Sequence, residues 1–356
     1  MIFDRTEQNP GARFLFFLAC LVIVVAGLKL AAPILLPSSL ALFLTILSLP
    51  VLIFLRHRKL PAGLAIGITV LMTVAIFGLL ILLASQSIPE LQTQLPRYAA
   101  QLQNLQAGWI AAIDERTGLS LNEYVTTDLF NPAVVVDLAG TALGRIAQFL
   151  SSVFLVFLIL AFMLGEALAF PEKMRYLVGG TLKQDDQIVV VIAEIQTYLG
   201  IKTVISLATG LILGAWCYVL DLDFPVLLGL VAFVLNYIPT VGSIIAAVPA
   251  LLLSVILHGT VGHAVLVVVG YFAVNTVFGS ILEPNLMGRR LGLSTLVVIL
   301  SLLFWGWIWG PIGALLSVPL TVVVKIWLEN TQDLRWIAVL LDKAPPEPEP
   351  AAESTG

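Results

Sequence analysis

The sequence predicts an all-α polytopic membrane protein of about eight transmembrane helices plus a re-entrant helical hairpin. An extracytoplasmic helical segment is expected after the third span. Three observations carry this reading. Apolar residues make up 59% of the 356-residue chain and charged residues 11%, where a soluble domain carries about 25% charge; the mean hydropathy is +1.03. The window from Phe14 to Phe54 holds a single charge, Lys29, and is about twice the ~20 residues that cross a ~30 Å hydrocarbon layer. The apolar runs are long and lack strict alternation, which selects a helical bundle over a barrel. The first run continues without a small-residue cleavage site, so it reads as an anchor and not as a signal peptide.

The elements follow in order. Residues 1–12 form a cytoplasmic N-terminus, and residues 13–85 hold the first three spans, with a short connection opening at Pro33 and the basic loop RHRKLP at 56–61. Residues 86–145 form the extracytoplasmic region. Within it Leu91, Leu95, Tyr98, Leu102, Leu105, Trp109 and Ala112 recur at alternating spacings of four and three, a heptad seam. That seam packs either on the neighbouring 119–143 segment or between subunits of a homo-oligomer. Residues 146–335 carry the remaining spans. They include an amphipathic helix at about 184–199 that suits the cytoplasmic interface, with Ile188, Ile192, Ile195 and Leu199 on one side. Residues 336–356, ending KAPPEPEPAAESTG, read as a disordered cytoplasmic tail.

Orientation follows the Lys and Arg bias of short loops. Arg56, Arg58 and Lys59, then Lys173 and Arg175, then Arg289 and Arg290 mark the cytoplasmic side, and Asp221 and Asp223 fall outside. Both termini are therefore expected in the cytoplasm. Trp305, Trp307 and Trp309 read as an aromatic belt at the outer boundary. Cys20 and Cys217 lie in apolar runs and read as small buried side chains. The three histidines, His57, His258 and His263, do not form a ligand set; no metal and no cofactor is expected. The net charge of −4 says little about partners, because the placement of charge matters more than its sum; no nucleic-acid partner is expected.

The stretch NYIPTVG, Asn236 to Gly242, interrupts an otherwise uncharged region. The run before it, Phe224 to Leu235, spans only about 18 Å as a helix and is too short to cross. Pro239 removes an amide donor, and Gly242 permits torsions that other residues resist. A break in hydrocarbon is tolerated only inside protein or beside water, so residues 224–257 read as a re-entrant hairpin with its tip at 236–242. Broken helices of this kind often form substrate or ion sites, which makes Asn236, Pro239, Thr240 and Gly242 candidates for the transport path. A proline kink at the membrane surface is the plainer alternative. A second polar cluster is Asn275 followed by EPNLMGRR, with Glu283, Pro284 and Asn285 as candidates. An intramembrane carboxylate is by default a candidate for ion coupling; the alternative is a wetted carboxylate beside Arg289 and Arg290. Gly210 with Gly214, and Gly306 with Gly310 and Gly313, supply small-residue spacings for close helix packing.

NYIPTVGSIIAAVPA, ILEPNLMGRRLG and FWGWIWGPIGALLSVPL resemble, in order and spacing, the signature regions of the AI-2E family transporters, the PerM-like permeases. The likeness extends over nearly all of residues 10–335. It implies an eight-span inner-membrane protein with an extra-membrane region after the third span. It carries over Asn236, Pro239, Gly242, Pro249, Glu283, Pro284, Gly288, Gly306, Gly310, Gly313 and Pro319 as characteristic positions. Thr295 stands where the family commonly has proline, which leaves the start of that span less sharply marked. The resemblance implies export of a small solute such as autoinducer-2, or sodium–proton antiport.

There is no P-loop, no GxGxxG after a strand and no HExxH, so no enzyme is expected. Three functions stay open at this point. One is a gradient-driven exporter of a small solute, an autoinducer-2-like signal among the candidates. The others are a cation–proton antiporter using protons or sodium ions, and a non-transporting structural protein in the lipid bilayer.

Overall fold

The computed structural model describes residues 10–117, 153–170, 173, 176, 183–239, 241–287, 293–329, 331 and 334–342. The expectations for residues 1–9, 119–143, Arg175, Thr240, Gly288 to Arg290 and 343–356 lie outside the described residues. What is described is helical: α1 (Pro10–Leu30), α2 (Ala32–His57), α3 (Ala62–Thr117), α4 (Val153–Phe170), α5 (Lys183–Val219), α6 (Pro225–Leu235) and α7 (Val241–His258). Then α8 (Val261–Val274) runs through a π-helix (Asn275–Leu282) into α9 (Glu283–Met287), followed by α10 (Thr295–Glu329) and α11 (Arg335–Leu341). Seven helical stretches among the described residues are long and apolar enough to cross a membrane. The protein is a polytopic all-α membrane protein. Its apolar surface fits that solvent: Phe162 and Leu71 are exposed while Leu160 and Leu164 are fully buried.

The helices are longer than the sequence pattern predicts. The helix itself does not stop at residue 85, where the third span is expected to end: α3 runs unbroken for 56 residues with Pro89 and Pro96 inside it, about 84 Å of helix. Each proline removes one intrahelical bond, and the Gln-, Leu- and Ala-rich flanks favour helix strongly enough to carry on through. The amphipathic segment at 184–199 is likewise not a separate interfacial helix. It is the first part of the 37-residue α5, with Ile195 and Leu199 buried. Lone Gly200 does not stop it.

By compactness the chain divides into two units, Met1–Thr45 with Leu291–Gly356, and Ile46–Arg290. In the first, α10 is broken at Gly310, whose φ of 66° and ψ of −150° are open to glycine. The two arms turn back on each other there. A Cβ at Gly306 would stand 3.6 Å from the Cβ of Ala314, and one at Gly313 would collide with the Trp305 carbonyl oxygen. Trp305 and Trp309 are buried among Val25, Leu28, Leu35 and Leu36. Their indole N–H groups donate to Thr321 Oγ1 at 3.1 Å and to the Leu28 carbonyl at 3.0 Å. Two of the three tryptophans expected in an outer belt are therefore core residues, and only Trp307 is exposed, with the Lys29 ammonium 4.5 Å from its ring centroid. Ser294 Oγ accepts the Val297 amide at 3.2 Å and caps α10.

The same unit holds part of the tail that the sequence reads as disordered. Residues 335–341 form α11, pinned by Ser294 N–H to Leu341 O at 3.0 Å and by Lys325 to Asp342 at 2.7 Å. Cys20 is exposed on α1, against the expectation that both cysteines are buried.

In the second unit α5 packs against α6, α8 and α9. Gly210 and Gly214 let it meet Gly229 of α6 backbone to backbone: a Cβ at Gly210 would lie 2.7 Å from the Gly229 carbonyl oxygen. The core beside this contact includes Leu213, Cys217, Leu228, Ala246 and Tyr271. Two of the seam positions on α3 are taken up by the chain itself. Tyr98 is buried and donates to Asp223 Oδ2 at 2.6 Å, and Leu105 lies against Gly259.

Candidate functional site

The site is built on one face of α5. Tyr198, Lys202, Ser206 and Thr209 follow one another at spacings of four, four and three, and all are buried. Such a stripe is costly inside a membrane protein unless its members are paired. The neighbouring elements supply the partners.

The first partner comes from the π-helix. Eight residues, Asn275 to Leu282, are wound with i→i+5 bonds, and Glu283 follows them directly. Stretches of π-helix are rare and collect at functional sites, because the wider turn re-aims the side chains that follow. Here the re-aimed group is the carboxylate. Lys202 Nζ donates to Glu283 Oε1 at 2.6 Å and Oε2 at 2.8 Å, with the lysine side chain 4% exposed and the glutamate 17%. Such a pair adds little stability when intact, yet removing one member costs about 3–5 kcal/mol because the other charge is left uncompensated. Asn275 opens the π-helix, and a Cβ at Gly279 would stand 2.9 Å from its Oδ1. Pro284 and Asn285 lie on the exposed side of α9 and do not join the pair.

The second partner is the break between α6 and α7. Asn236 is buried and donates from Nδ2 to Ser206 Oγ at 3.0 Å. Tyr237 donates to Thr203 Oγ1 at 2.8 Å, and Thr203 in turn donates to the Leu199 carbonyl at 2.7 Å. The backbone of the break is spent locally: the amides of Asn236, Tyr237, Ile238, Val241 and Gly242 all bond within the turn. The donors that the break offers to α5 are thus side chains and not these main-chain N–H groups. Gly242 also acts otherwise than through unusual torsions. It lies in the first turn of α7 with an ordinary φ, and any Cβ would collide with the Leu235 carbonyl oxygen. Pro239 shapes the turn; Thr240 lies outside the described residues.

The structure therefore brings together two sequence-predicted residues, Asn236 and Glu283, on a helix whose own contribution the sequence reading missed. Lys202 stands just ahead of an apolar run, where a lysine is ordinary, although the Tyr198–Lys202–Ser206–Thr209 spacing signals a polar stripe. Two further buried hydroxyls, Thr209 Oγ1 on the same α5 face and Ser254 Oγ on α7, have no partner among the described residues. No group of three or more His, Cys, Asp or Glu among the described residues could hold a metal.

A transporter family model, described as AI-2E family transporter, matches residues 18–333. The chain belongs to the AI-2E transporter family. Among its relatives, the AI-2 transport protein TqsA of Escherichia coli K12 is 39% identical over 93% of this chain and 96% of its own length. A candidate transport protein of Haemophilus influenzae is 36% identical over 92% of this chain and 96% of its own length. The candidate transport protein YhhT of Escherichia coli K12 is 34% identical over 96% and 97%. As a member of the AI-2E family the chain is a membrane transporter and not an enzyme.

Proposed function

We propose that this transporter exports a small polar solute across the bacterial inner membrane, driven by a gradient, with an autoinducer-2-like signal as the first candidate. The observation that carries the reading is the buried Lys202–Glu283 pair on the same α5 face that holds the Asn236 side chain. A broken helix beside a buried ion pair is the arrangement in which transporters handle polar cargo near the bilayer midplane. The solute class comes from one relative, an AI-2 transport protein. The topology that goes with it has eight spans, both termini in the cytoplasm and α6–α7 as a re-entrant hairpin. The 11 residues of α6 are too few to cross, and Gly310 divides α10 into two arms.

Antiport is the second reading. It is less favoured because Glu283 is already neutralised by Lys202, and no group of three or more His, Cys, Asp or Glu among the described residues could hold a metal ion. The test is flux in proteoliposomes over a panel of small polar solutes, with and without imposed proton and sodium gradients. Solute movement that a gradient accelerates is the expected result. Sodium-dependent proton flux in the wild type, absent from Glu283→Gln at equal protein density, would replace export by antiport.

A further inference from the structure

The two members of the buried pair are not held alike. Lys202 stands in the middle of a continuous 37-residue α-helix and is 4% exposed. Glu283 is 17% exposed and sits at the junction of an eight-residue π-helix and a five-residue helix whose next residues, Pro284 and Asn285, are exposed. A π-helix holds one residue more per turn than the α-helix on either side. Sliding back to α-helical register turns whatever follows by about 100°. Glu283 is the member less firmly held, beside the exposed Pro284 and Asn285. Lys202 stays buried, and a buried ammonium needs a counter-charge.

We propose that Lys202 is a binding residue for an anionic oxygen of the transported solute, a carboxylate or phosphate oxygen, and that Glu283 occupies its place in the state described here. This rests on the export reading for its biological meaning, but the binding itself can be measured without flux. The surroundings suit an oxyanion ligand. Tyr198 lies one turn before Lys202 and Ser206 one turn after it on the same face, and Asn236 reaches that face from the break. When Glu283 departs, these hydroxyl and amide groups are the donors within reach of a ligand that the ammonium has drawn in.

The experiment removes the internal competitor and offers external ones. The full chain is purified in a neutral detergent, and its melting midpoint is followed against acetate, inorganic phosphate and neutral ribose at constant ionic strength. Glu283→Gln leaves Lys202 without its carboxylate and is expected to melt below wild type. Acetate or phosphate should raise it saturably by a few degrees, as binding to the folded state alone requires. Ribose should not. The double variant Lys202→Met with Glu283→Gln should show no anion response. Glu283→Asp, which keeps a carboxylate on a shorter arm, serves if the glutamine variant does not fold, and its anion response should lie between the two. A Glu283→Gln or Glu283→Asp protein that ignores both anions, or that responds equally to ribose, overturns the proposal. So does an anion response that survives in the double variant. Stabilisation by phosphatidylglycerol without any by acetate or inorganic phosphate would assign Lys202 to lipid and overturn the solute claim. An anion response in a protein that moves no solute would instead count against export alone.

Discussion

The two helix breaks, one in each compact unit, use the same residue types for different ends. At Asn236 to Gly242 a proline and a glycine interrupt an apolar run, and at Gly310–Pro311 a glycine and a proline do so again. The first break is lined by side chains that bond across to α5: Asn236 to Ser206 and Tyr237 to Thr203, one turn from a buried ion pair. The second is closed by Trp305 and Trp309, whose indole groups bond to Thr321 and Leu28 within an apolar core. Both glycines beside the breaks, Gly242 and Gly313, are required for space against a carbonyl oxygen. A break in a spanning segment is thus not by itself a candidate site. What marks out the candidate is a set of buried polar partners around the break.

The largest expected effect lies in the ion pair. Lys202→Met leaves the Glu283 carboxylate buried and uncompensated, and the folded state should lose about 3–5 kcal/mol, read as a lowered melting midpoint in detergent. Adding Glu283→Gln removes the stranded charge and should recover most of the loss. A double variant no more stable than the single one would show that the pair is not self-compensating. In the other unit, Lys325→Met also breaks a bonded pair, with Asp342. Asp342 is more exposed, 27% against 17% for Glu283, so water replaces its partner more readily and the loss should be smaller.

Inserting one alanine between Leu282 and Glu283 sharpens the same comparison. One residue more turns Glu283 away from Lys202 by about 100°, whereas deleting Val277 while the segment returns to α-helical winding cancels its own rotation and should leave Glu283 facing Lys202. The stability loss of the insertion should approach that of Lys202→Met in an otherwise unaltered chain. It should nearly vanish in the Lys202→Met, Glu283→Gln background. Equal losses in both backgrounds would mean that the segment serves packing and not the pair.

Next come the two glycines. Gly242→Ala and Gly313→Ala each push a methyl group into a carbonyl oxygen, and overpacking of this kind costs about 1–3 kcal/mol. Stability should fall by similar amounts. Flux per folded molecule should fall for Gly242→Ala alone, since only that turn carries Asn236. A matched loss of flux at Gly313 would place the transport path in both breaks.

The outline of the site was readable from residue types, and its centre was not. Proline, asparagine and glycine inside apolar runs mark breaks whatever the tertiary fold, so Asn236, Gly242 and Glu283 stand out unaided. Lys202 does not, because a lysine at the edge of a hydrophobic run looks like an interfacial anchor until the helix is known to extend from Lys183 to Val219. The π-helix has no composition of its own: NTVFGSIL reads as an ordinary piece of span, and the register shift arises from packing. The tryptophans misled for the opposite reason. WGWIW matches an interfacial belt by composition, but the turn at Gly310 folds two of the three rings inward.

The smallest expected effect separates stability from flux most cleanly. Tyr237→Phe removes a hydroxyl that donates to Thr203 Oγ1. Thr203 keeps its own bond to the Leu199 carbonyl, so no buried group is stranded and the cost should be about 0.5–1.5 kcal/mol. Thr321→Val, in the other unit, takes away the acceptor of a buried indole N–H, and a stranded donor costs about 1–3 kcal/mol. By melting midpoint, then, the threonine variant should be the worse of the two. By solute flux at equal protein density the order should reverse, because Tyr237 ties the polar break to the helix that carries Lys202, whereas Thr321 only closes a tryptophan core. Were Thr321→Val to lower flux per folded molecule as much as Tyr237→Phe, the distinction between a polar break that works and an apolar break that merely folds would not hold.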